Sequence, residues 1–522
     1  MEGRARDDAG DAQGAVRAWR AYLEVFKAGP SRATVLAGLA RREELKDAVR
    51  RVEMLQREEP ASELLPEALF DVAERASQAG DRATAQTCYR ALLAGGGGAL
   101  AAPARYGLAW CLVQDDRPAE AAAELEALRA DPATKPELRA SALELLVWAW
   151  HKAGEAQKSA AAWRAFAPLC TDEARLFEAA KTAALALKEA GAPADAAALM
   201  HEVLERVRTP AVAVLALVEG AYLALDAGDV DRAEAEVAVA RRRAPDDPKL
   251  AEASFFVAEA RFEAGAKEAA LPLYRAAAVP ASPVAALALY KLGLAELDRG
   301  DARAAETALS TLVAQHQQSE VYGEGLFLLG EARFRLGAFD AAAADLERLR
   351  RERPEHEVMP KALFRLGLAY AELGRFEECD AVLSELLKKN PRFENLAEAE
   401  LTRGRALSAL GRGRPARQAL GRVLQLDGES VLAARAHLLL GKLARSEGDL
   451  EAALSEFLKV AVLYAAEEEV AEALFLAGEC LDEEKKPDAA RARWREAADQ
   501  HPDTKHGALA RSRLAEPAAR GG

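Results

Sequence analysis

The residues that could carry out chemistry in this chain are its seven histidines and five cysteines. Such residues bind a metal ion when several stand at short, fixed spacings such as HExxH or CxxC. Neither spacing occurs here, and only His501 and His506 stand as close as five residues apart. We therefore predict no metal site.

A nucleophile or a phosphate-binding loop is equally difficult to find. The stretch 411–415 is rich in glycine, but it follows a helical pattern rather than a strand and lacks the Gly-Lys-Ser/Thr ending of a phosphate loop. No GxSxG is present, and Cys111, Cys379 and Cys480 fall inside helical patterns rather than in a nucleophile setting. We predict a protein that is not an enzyme and needs no cofactor.

The composition narrows the class of protein further. The chain has 522 residues, of which 51% are hydrophobic and only 6% aromatic, and its net charge is −14. An acidic chain does not favour nucleic acid, because binding to a phosphate backbone is driven by lysine and arginine. No window reaches the roughly 18 uninterrupted apolar residues that cross a bilayer. We expect neither nucleic acid as a partner nor a membrane span.

The elements that position all these residues follow a repeat. Turn-forming residues interrupt helical patterns at steps of 37 residues, with one step of 35, at Gly154, Gly191, Gly228, Gly265, Gly300, Gly337, Gly374, Gly411, Gly448 and Lys485. Gly80 and Asp116 extend the series backward, and Gly10 and Lys46 fit it more loosely. A fixed period of this size is typical of stacked supersecondary units. We predict an all-α solenoid of about 12–14 antiparallel helix-pair repeats.

Each unit repeats the same pattern of residue sizes around its turn. A small residue stands seven positions before the turn and another five after it, and a large apolar residue follows four positions later, as in Gly367, Cys379 and Leu383 around Gly374. Small residues at facing sites let two helix axes approach closely. The large residue is expected to fill the core between units.

This order of residues resembles the tetratricopeptide repeat family. The match is carried by motifs such as Gly367, Tyr370, Gly374, Leu383 and Pro391, and it covers residues 61–515. The family repeat is 34 residues long, so each unit here carries about three extra residues, which we place in the loops between units. The resemblance implies a right-handed superhelix whose first helices line a concave face. The longer-loop units are also similar to those of bacterial cell-envelope repeat proteins.

The ends of the chain depart from the regular pattern. Residues 1–60 are predicted to hold degenerate or truncated repeats, because residues 1–9 are too polar to supply a first helix and leave Trp19 and Tyr22 without a packing partner. We expect that the sequence begins inside a longer array. Residues 61–515 form the regular solenoid of about 12 repeats and a closing helix, and residues 516–522 form a flexible tail. The stretch Gly95–Gly98 is either a hinge or a flexible surface connection.

The resemblance also implies where partners bind. In this family, positions on the first helix project into the groove, and here several of them hold aromatic residues, which provide large contact area at low entropic cost. The candidate partner-binding residues are Tyr106, Trp110, Trp148, Tyr222, Phe255, Phe262, Tyr290, Phe327, Phe334 and Phe364. The alternative for each ring is packing between neighbouring first helices. A carboxylate clamp is not expected, because the asparagine that marks it is missing.

Charge is unevenly distributed along the chain. Residues 391–422 carry a balance of +4, and residues 424–484 carry −10. These blocks either steer a bipolar partner or a second copy of the chain, or are ordinary solvated helix faces.

The functional hypothesis is a non-enzymatic scaffold that binds peptide segments or helices of other proteins, with self-association as a further option. The alternatives are a peptide-sensing regulator and the docking arm of a larger enzyme. The compartment stays open: periplasmic or envelope-associated if an export signal precedes this sequence, and cytoplasmic otherwise.

Overall fold

The fold is entirely helical in the residues that the structure, a computed structural model, describes: 1–245 and 247–515. The predicted flexible tail, 516–522, lies outside the described residues. The helices follow one another in fourteen consecutive pairs and a closing helix. They form two compact units, residues 1–273 and 274–522, each of which is described by itself.

The helices of the first unit have lengths of 7 to 17 residues and are joined within each pair by a short turn. They are α1 (Glu2–Asp8), α2 (Ala12–Val25), α3 (Arg32–Arg42), α4 (Leu45–Glu58), α5 (Leu65–Gln78), α6 (Arg82–Ala94), α7 (Ala101–Gln114), α8 (Pro118–Ala130), α9 (Pro136–Lys152), α10 (Ala156–Phe166), α11 (Glu173–Glu189), α12 (Pro193–Val203), α13 (Pro210–Asp226), α14 (Val230–Arg243) and α15 (Pro248–Glu263). A 3-10 helix, Gly98–Leu100, precedes α7.

The division between the units falls inside α16 (Lys267–Ala277). The helices of the second unit are α17 (Ala285–Arg299), α18 (Ala302–Gln315), α19 (Tyr322–Arg335), α20 (Phe339–Glu352), α21 (Met359–Glu372), α22 (Phe376–Lys389), α23 (Leu396–Ala409), α24 (Gly413–Leu426), α25 (Val431–Ser446), α26 (Leu450–Leu463), α27 (Glu467–Glu483), α28 (Pro487–Gln500) and α29 (Lys505–Ala515). The odd-numbered helices are the first helices of their pairs.

In every pair except α3–α4, the turn depends on one residue in the left-handed region of backbone space. Gly374 has φ +70°, and the amide of Arg375 donates to the carbonyl of Tyr370 at 2.9 Å, which ends α21 in a Schellman motif. Asp116 and Lys485 adopt the same conformation, with φ +56° and +62°, although they carry a Cβ. The turn positions predicted from the spacing are therefore confirmed for these residues, glycine or not.

Where the small residue of the first helix is glycine, the large residue of the second helix packs directly against it. A Cβ built on Gly367 would lie 2.4 Å from Cδ2 of Leu383, and one built on Gly404 would lie 2.6 Å from Cδ2 of Leu420. Both leucines are fully buried. Since carbon atoms do not approach to such distances, only glycine fits there while the leucine stays in place.

The expectation that residues 1–9 cannot form a first helix is wrong. α1 packs on α2, and Trp19 is buried because Gly3 lets the backbone of α1 lie directly on the indole. Arg6 pairs with Glu2 at 2.8 Å on the exposed side of α1. The polar composition is compatible with a helix because the contact uses the backbone at Gly3 rather than apolar side chains.

The prediction that Lys46 is the turn residue of its unit is wrong; this position fitted the spacing only loosely. Glu43 and Glu44 join α3 to α4, and Lys46 lies inside α4. This turn has no left-handed residue. Instead the side chain of Glu43, only 1% exposed, accepts hydrogen bonds from Nε of Arg20 at 2.5 Å and Nε of Arg51 at 2.7 Å. A buried ion-pair network replaces the glycine in this unit.

Among the described residues, no helix combines the length and the apolar character needed to cross a bilayer. The boundary at residue 60 between irregular and regular repeats stays a prediction.

Candidate functional site

In each unit the odd-numbered helices form a surface, here called the first-helix face, and this surface carries one large cavity in each unit. One lies on α7, α9 and α11 of the first unit, and the other on α19 to α27 of the second. Both collect side chains from successive repeats. The first-helix face is therefore where one extended ligand could contact several repeats at once.

The cavity of the first unit, here called the aromatic pocket, has a volume of about 520 Å³. Tyr106, Trp110 and Trp148, three of the predicted residues, line it together, with Leu145 among them. Trp110 is 45% exposed, a large value for a tryptophan, while Tyr106 and Trp148 are half-buried. Aromatic rings that are packed on one side and exposed on the other can bind an apolar side chain of a partner.

Carboxylates surround the rings of the aromatic pocket. Glu144 and Glu178 line it, and Glu144 forms an ion pair with Arg175 of the next first helix. Burial, together with the negative charge of Glu144, raises the pKa of the Tyr106 phenol. The phenol therefore stays protonated at neutral pH and can donate a hydrogen bond. The ammonium of Lys152 lies 5.7 Å from the centre of the Trp148 ring.

A second aromatic group lies on α13 and α15. Tyr222 is half-buried and meets Phe256 edge to face, with 5.9 Å between ring centroids. Phe256 is 43% exposed and is not among the residues predicted from the sequence. Its neighbour Phe255, a predicted residue, is only 4% exposed and so offers almost no surface to a partner.

The cavity of the second unit, here called the mixed-charge groove, has a volume of about 570 Å³. Phe334 lies at one end, with Phe339 at 5.2 Å between ring centroids and the guanidinium of Arg365 at 4.6 Å from its ring centre. The charged side chains that line the groove are Arg365, Glu372, Glu398, Arg405, Arg435, Lys442, Glu469 and Glu472. This cluster was not predicted from the sequence, because its residues come from four different first helices.

Every cation of the mixed-charge groove is paired with a carboxylate of a neighbouring first helix. Nε of Arg365 lies 2.6 Å from Glu331, and the ammonium of Lys442 lies 2.7 Å from Glu472. Arg405 and Arg435 form the equivalent pairs with Glu372 and Glu469. These pairs tie adjacent repeats together, and they leave the groove with a balanced charge.

The other predicted residues are spread over the remaining repeats. Phe262 is half-buried with the ammonium of Lys267 at 5.1 Å from its ring centre. Tyr290 and Phe327 are half-buried, whereas Phe364 is 6% exposed and packs against Phe393 of the following loop. The structure thus brings three of the predicted residues together in the aromatic pocket.

The basic block predicted at residues 391–422 is largely neutralised by carboxylates outside it. Arg403 pairs with Asp380, Arg412 with Glu377, and Arg417 with Glu447. The net charge of residues 391–422 therefore overstates the positive charge of this surface, because stacking of the repeats places carboxylates of neighbouring units within ion-pair distance.

Three buried cysteines are not activated as nucleophiles. Burial raises the pKa of Cys379 to about 12 and those of Cys88 and Cys480 to about 11, so these thiols stay protonated at neutral pH. In the described ranges, no three His, Cys, Asp or Glu side chains come together in a way that could hold a metal ion.

Fold and surface together define an α-solenoid of stacked helix pairs, with a large cavity on the first-helix face of each unit. A tetratricopeptide repeat model matches residues 70–135, 218–286, 290–357 and 401–468, which is more than half of the chain. Two further models of the same description match residues 333–401 and 472–504. The chain belongs to the tetratricopeptide repeat family, and as a member it is a protein-interaction scaffold.

Solved structures of similar fold share little sequence with this chain. They include MamA from Desulfovibrio magneticus (22% identity over 34% of this chain and 94% of that one, TM-score 0.31). A repeat protein from Cytophaga hutchinsonii aligns at 12% identity over 49% of this chain and 98% of that one, TM-score 0.40. PilW, described as a type IV pilus biogenesis factor, aligns at 17% identity over 44% and 99%, TM-score 0.35. No curated protein matches the chain.

Proposed function

We propose that this protein is a non-enzymatic scaffold that binds peptide segments or helices of other proteins along its first-helix face, with the aromatic pocket as its main anchor site. The observation that carries the proposal is the convergence of Tyr106, Trp110 and Trp148, from two successive first helices, on one cavity of about 520 Å³. Aromatic residues in such cavities are the commonest anchors of protein interfaces.

The size and chemistry of the aromatic pocket indicate what it holds. Its volume suits one or two large side chains rather than a folded domain. Its walls are apolar rings and its rim carries Glu144 and Glu178. A segment with an aliphatic or aromatic residue next to a lysine or arginine fits both features, because the ring faces and the carboxylates attract a cation.

A peptide selection tests the proposal on the full chain. A displayed random peptide library is selected on the wild-type protein, and the recovered peptides are synthesised. The double variant Trp110→Ala/Trp148→Ala is expected to bind them at least about tenfold more weakly, because two anchors of this type are lost.

The matched control is Leu169→Ala, which removes an exposed apolar side chain, 41% exposed, away from the first-helix face. It is expected to leave binding unchanged. If the recovered peptides bind the wild type and the double tryptophan variant with equal affinity, the aromatic pocket is not the anchor site.

A bacterial cell-envelope setting is a further part of the proposal. Its support is the likeness of the longer-loop units to those of envelope repeat proteins. Fractionation of the source cells with an antibody to this chain tests it: recovery in the periplasmic or membrane fraction is expected, and recovery in the cytosol alone contradicts it.

A further inference from the structure

Four large aliphatic side chains at the loop edge of the second unit are exposed to solvent. Leu426 at the end of α24 is 52% exposed, and Val431 at the start of α25 is 45% exposed. Val462 and Leu463 at the end of α26 are 79% and 66% exposed. These values are among the largest for apolar residues in the described chain, and none of the four residues lines the mixed-charge groove.

The two loops that carry these residues touch each other. The phenol of Tyr464, which directly follows Leu463, donates a hydrogen bond to the carbonyl of Gly428 at 2.8 Å. This contact ties the loop after α26 to the loop after α24. The aliphatic residues of two successive repeats therefore lie on one edge of the unit.

The fold does not require apolar residues at these places. Leu426 and Leu463 stand 15 residues after their turn residues, and the same place in other repeats of the second unit holds exposed polar residues: Gln315, Glu352, Lys389 and Gln500. Val431 stands where other repeats have Glu320, Glu357, Glu394 and Glu468. Equivalent repeats fold with charged side chains there, so packing alone does not explain the leucines and the valine.

Acidic side chains surround the aliphatic ones. Asp427, Glu429, Glu467 and Glu468 are exposed, and the described contacts give none of them an ion pair. The pKa of the Tyr464 phenol is raised, mainly by burial and also by the negative charges of Asp427 and Glu429. These two carboxylates therefore lie close to the contact between the loops. The nearby cation Lys459 is already engaged by Glu456. The edge therefore combines exposed apolar surface with uncompensated negative charge.

We propose that this edge, defined by Leu426, Val431, Val462 and Leu463 with Asp427, Glu429, Glu467 and Glu468, is a second docking surface whose occupant is a basic amphipathic helix of another protein. We call it the acidic edge. Aliphatic residues on the helix cover the exposed leucines and valines, and flanking lysines or arginines meet the four carboxylates.

The negative charge of the acidic edge favours a basic helix over other partners. An anionic membrane surface or a nucleic acid would be repelled by four unpaired carboxylates. An acidic helix would meet the same repulsion. A second copy of this chain is the remaining candidate with apolar surface to bury, and the experiment below separates it from a basic helix.

Binding of two synthetic helical peptides to the full chain tests the proposal. One peptide consists of leucine and lysine at helical spacing, and the other has glutamate in place of lysine. The leucine–lysine peptide is expected to bind and to protect residues 424–431 and 460–468 from hydrogen exchange, whereas the leucine–glutamate peptide should not bind. Raising the salt concentration should weaken the complex.

The decisive variant is Leu426→Gln/Leu463→Gln, which introduces the residue that Gln315 and Gln500 already place at this position. It should fold normally and bind the leucine–lysine peptide at least about tenfold more weakly, since the two exposed leucines that the peptide would cover are lost. Glu467→Gln/Glu468→Gln should reduce the salt dependence. Trp110→Ala/Trp148→Ala should leave this binding unchanged, so failure here and failure of the aromatic pocket are distinguishable.

Two results would overturn the proposal. One is equal binding of the leucine–lysine peptide by the wild type and the Leu426→Gln/Leu463→Gln variant, which would mean that attraction to net negative charge alone holds the peptide. The other is self-association of the wild-type chain in sedimentation equilibrium that this variant abolishes, which would make a second copy the occupant.

Discussion

At the scale of single residues, the helix pairs depend on glycine where a large side chain presses on a backbone. Gly367→Ala is expected to lower the free energy of unfolding by about 1–3 kcal/mol, because the new Cβ overlaps the buried Leu383. Gly421→Ala is the control, since Gly421 lies in α24 with no neighbouring atom near a Cβ, and it should stabilise by up to about 1 kcal/mol. Denaturant titration of both variants checks the opposite signs.

Backbone strain is expected at the two turns whose left-handed residue is not glycine, Asp116 and Lys485. Lys485→Gly should raise the stability of the pair α27–α28 by about 1 kcal/mol, because a side chain at φ +62° is disfavoured and glycine is not. Gly374→Ala, the reverse change at an equivalent turn, should cost a similar amount. Thermal unfolding measures both, and a stabilising Gly374→Ala would show that the turn tolerates a Cβ.

The spacing of 37 residues predicts every turn except α3–α4, because a left-handed residue is a local requirement of the other turns. The exposure of the aromatic residues is not local, and so could not be predicted. Tyr290 and Phe364 occupy the same position in their repeats, yet Tyr290 is half-buried and Phe364 is covered by Phe393 from the following loop. Which rings are open depends on loop residues that the repeat pattern does not specify.

At the scale of elements, the ion-pair network around Glu43 holds α2, α3 and α4 together. Burial opposes ionisation of Glu43, but the hydrogen bonds from Arg51 and Arg20 outweigh it and hold the pKa of this carboxyl below its ordinary value. Glu43→Gln is expected to destabilise these helices by about 1–3 kcal/mol at neutral pH. Hydrogen exchange over residues 12–58 measures the loss.

The pH dependence of this effect has a definite sign. A carboxyl whose pKa is lowered by folding stabilises the protein above its unfolded-state pKa, about 4.3, and loses that contribution as the pH falls through the folded-state pKa. The difference between wild type and Glu43→Gln should therefore shrink as the medium is acidified below about pH 4. The control is Glu44→Gln at the exposed neighbouring residue, which should change the free energy of unfolding much less at neutral pH.

The first helix shows where reasoning from composition fails at the scale of elements. Residues 2–8 are mostly polar, which argues against a helix with a packed face. The signal was nevertheless in the sequence: Gly3 stands seven residues before Gly10, and Trp19 nine after it, at the spacing of Gly367 and Leu383 around Gly374. The small and large residues of the repeat predict this pair better than hydrophobicity does.

At the scale of the whole molecule, each repeat packs on its neighbours, so stability is expected to be local. Leu383→Ala removes a fully buried side chain between α21 and α22 and should cost about 2–5 kcal/mol. Hydrogen exchange should accelerate in the repeats around residues 359–409 and stay unchanged in residues 1–200. Uniform acceleration over the whole chain would mean that the repeats unfold as one cooperative body.

The same modular arrangement separates the two surfaces that we assign to partners. The aromatic pocket lies on the first-helix face of one unit, and the acidic edge lies on the loops of the other. Each is built from side chains that the turn, capping and core positions leave free to vary. A repeat scaffold can in this way carry two partners without altering its core.

The most direct test of the central claim, that the first-helix face binds segments of other proteins, is hydrogen exchange of the full chain with and without a peptide selected on it. The account predicts slowed exchange on α7, α9 and α11 around Tyr106, Trp110 and Trp148, with α8, α10 and α12 unaffected. Protection confined to the second helices, or none on α7 and α9, would contradict it.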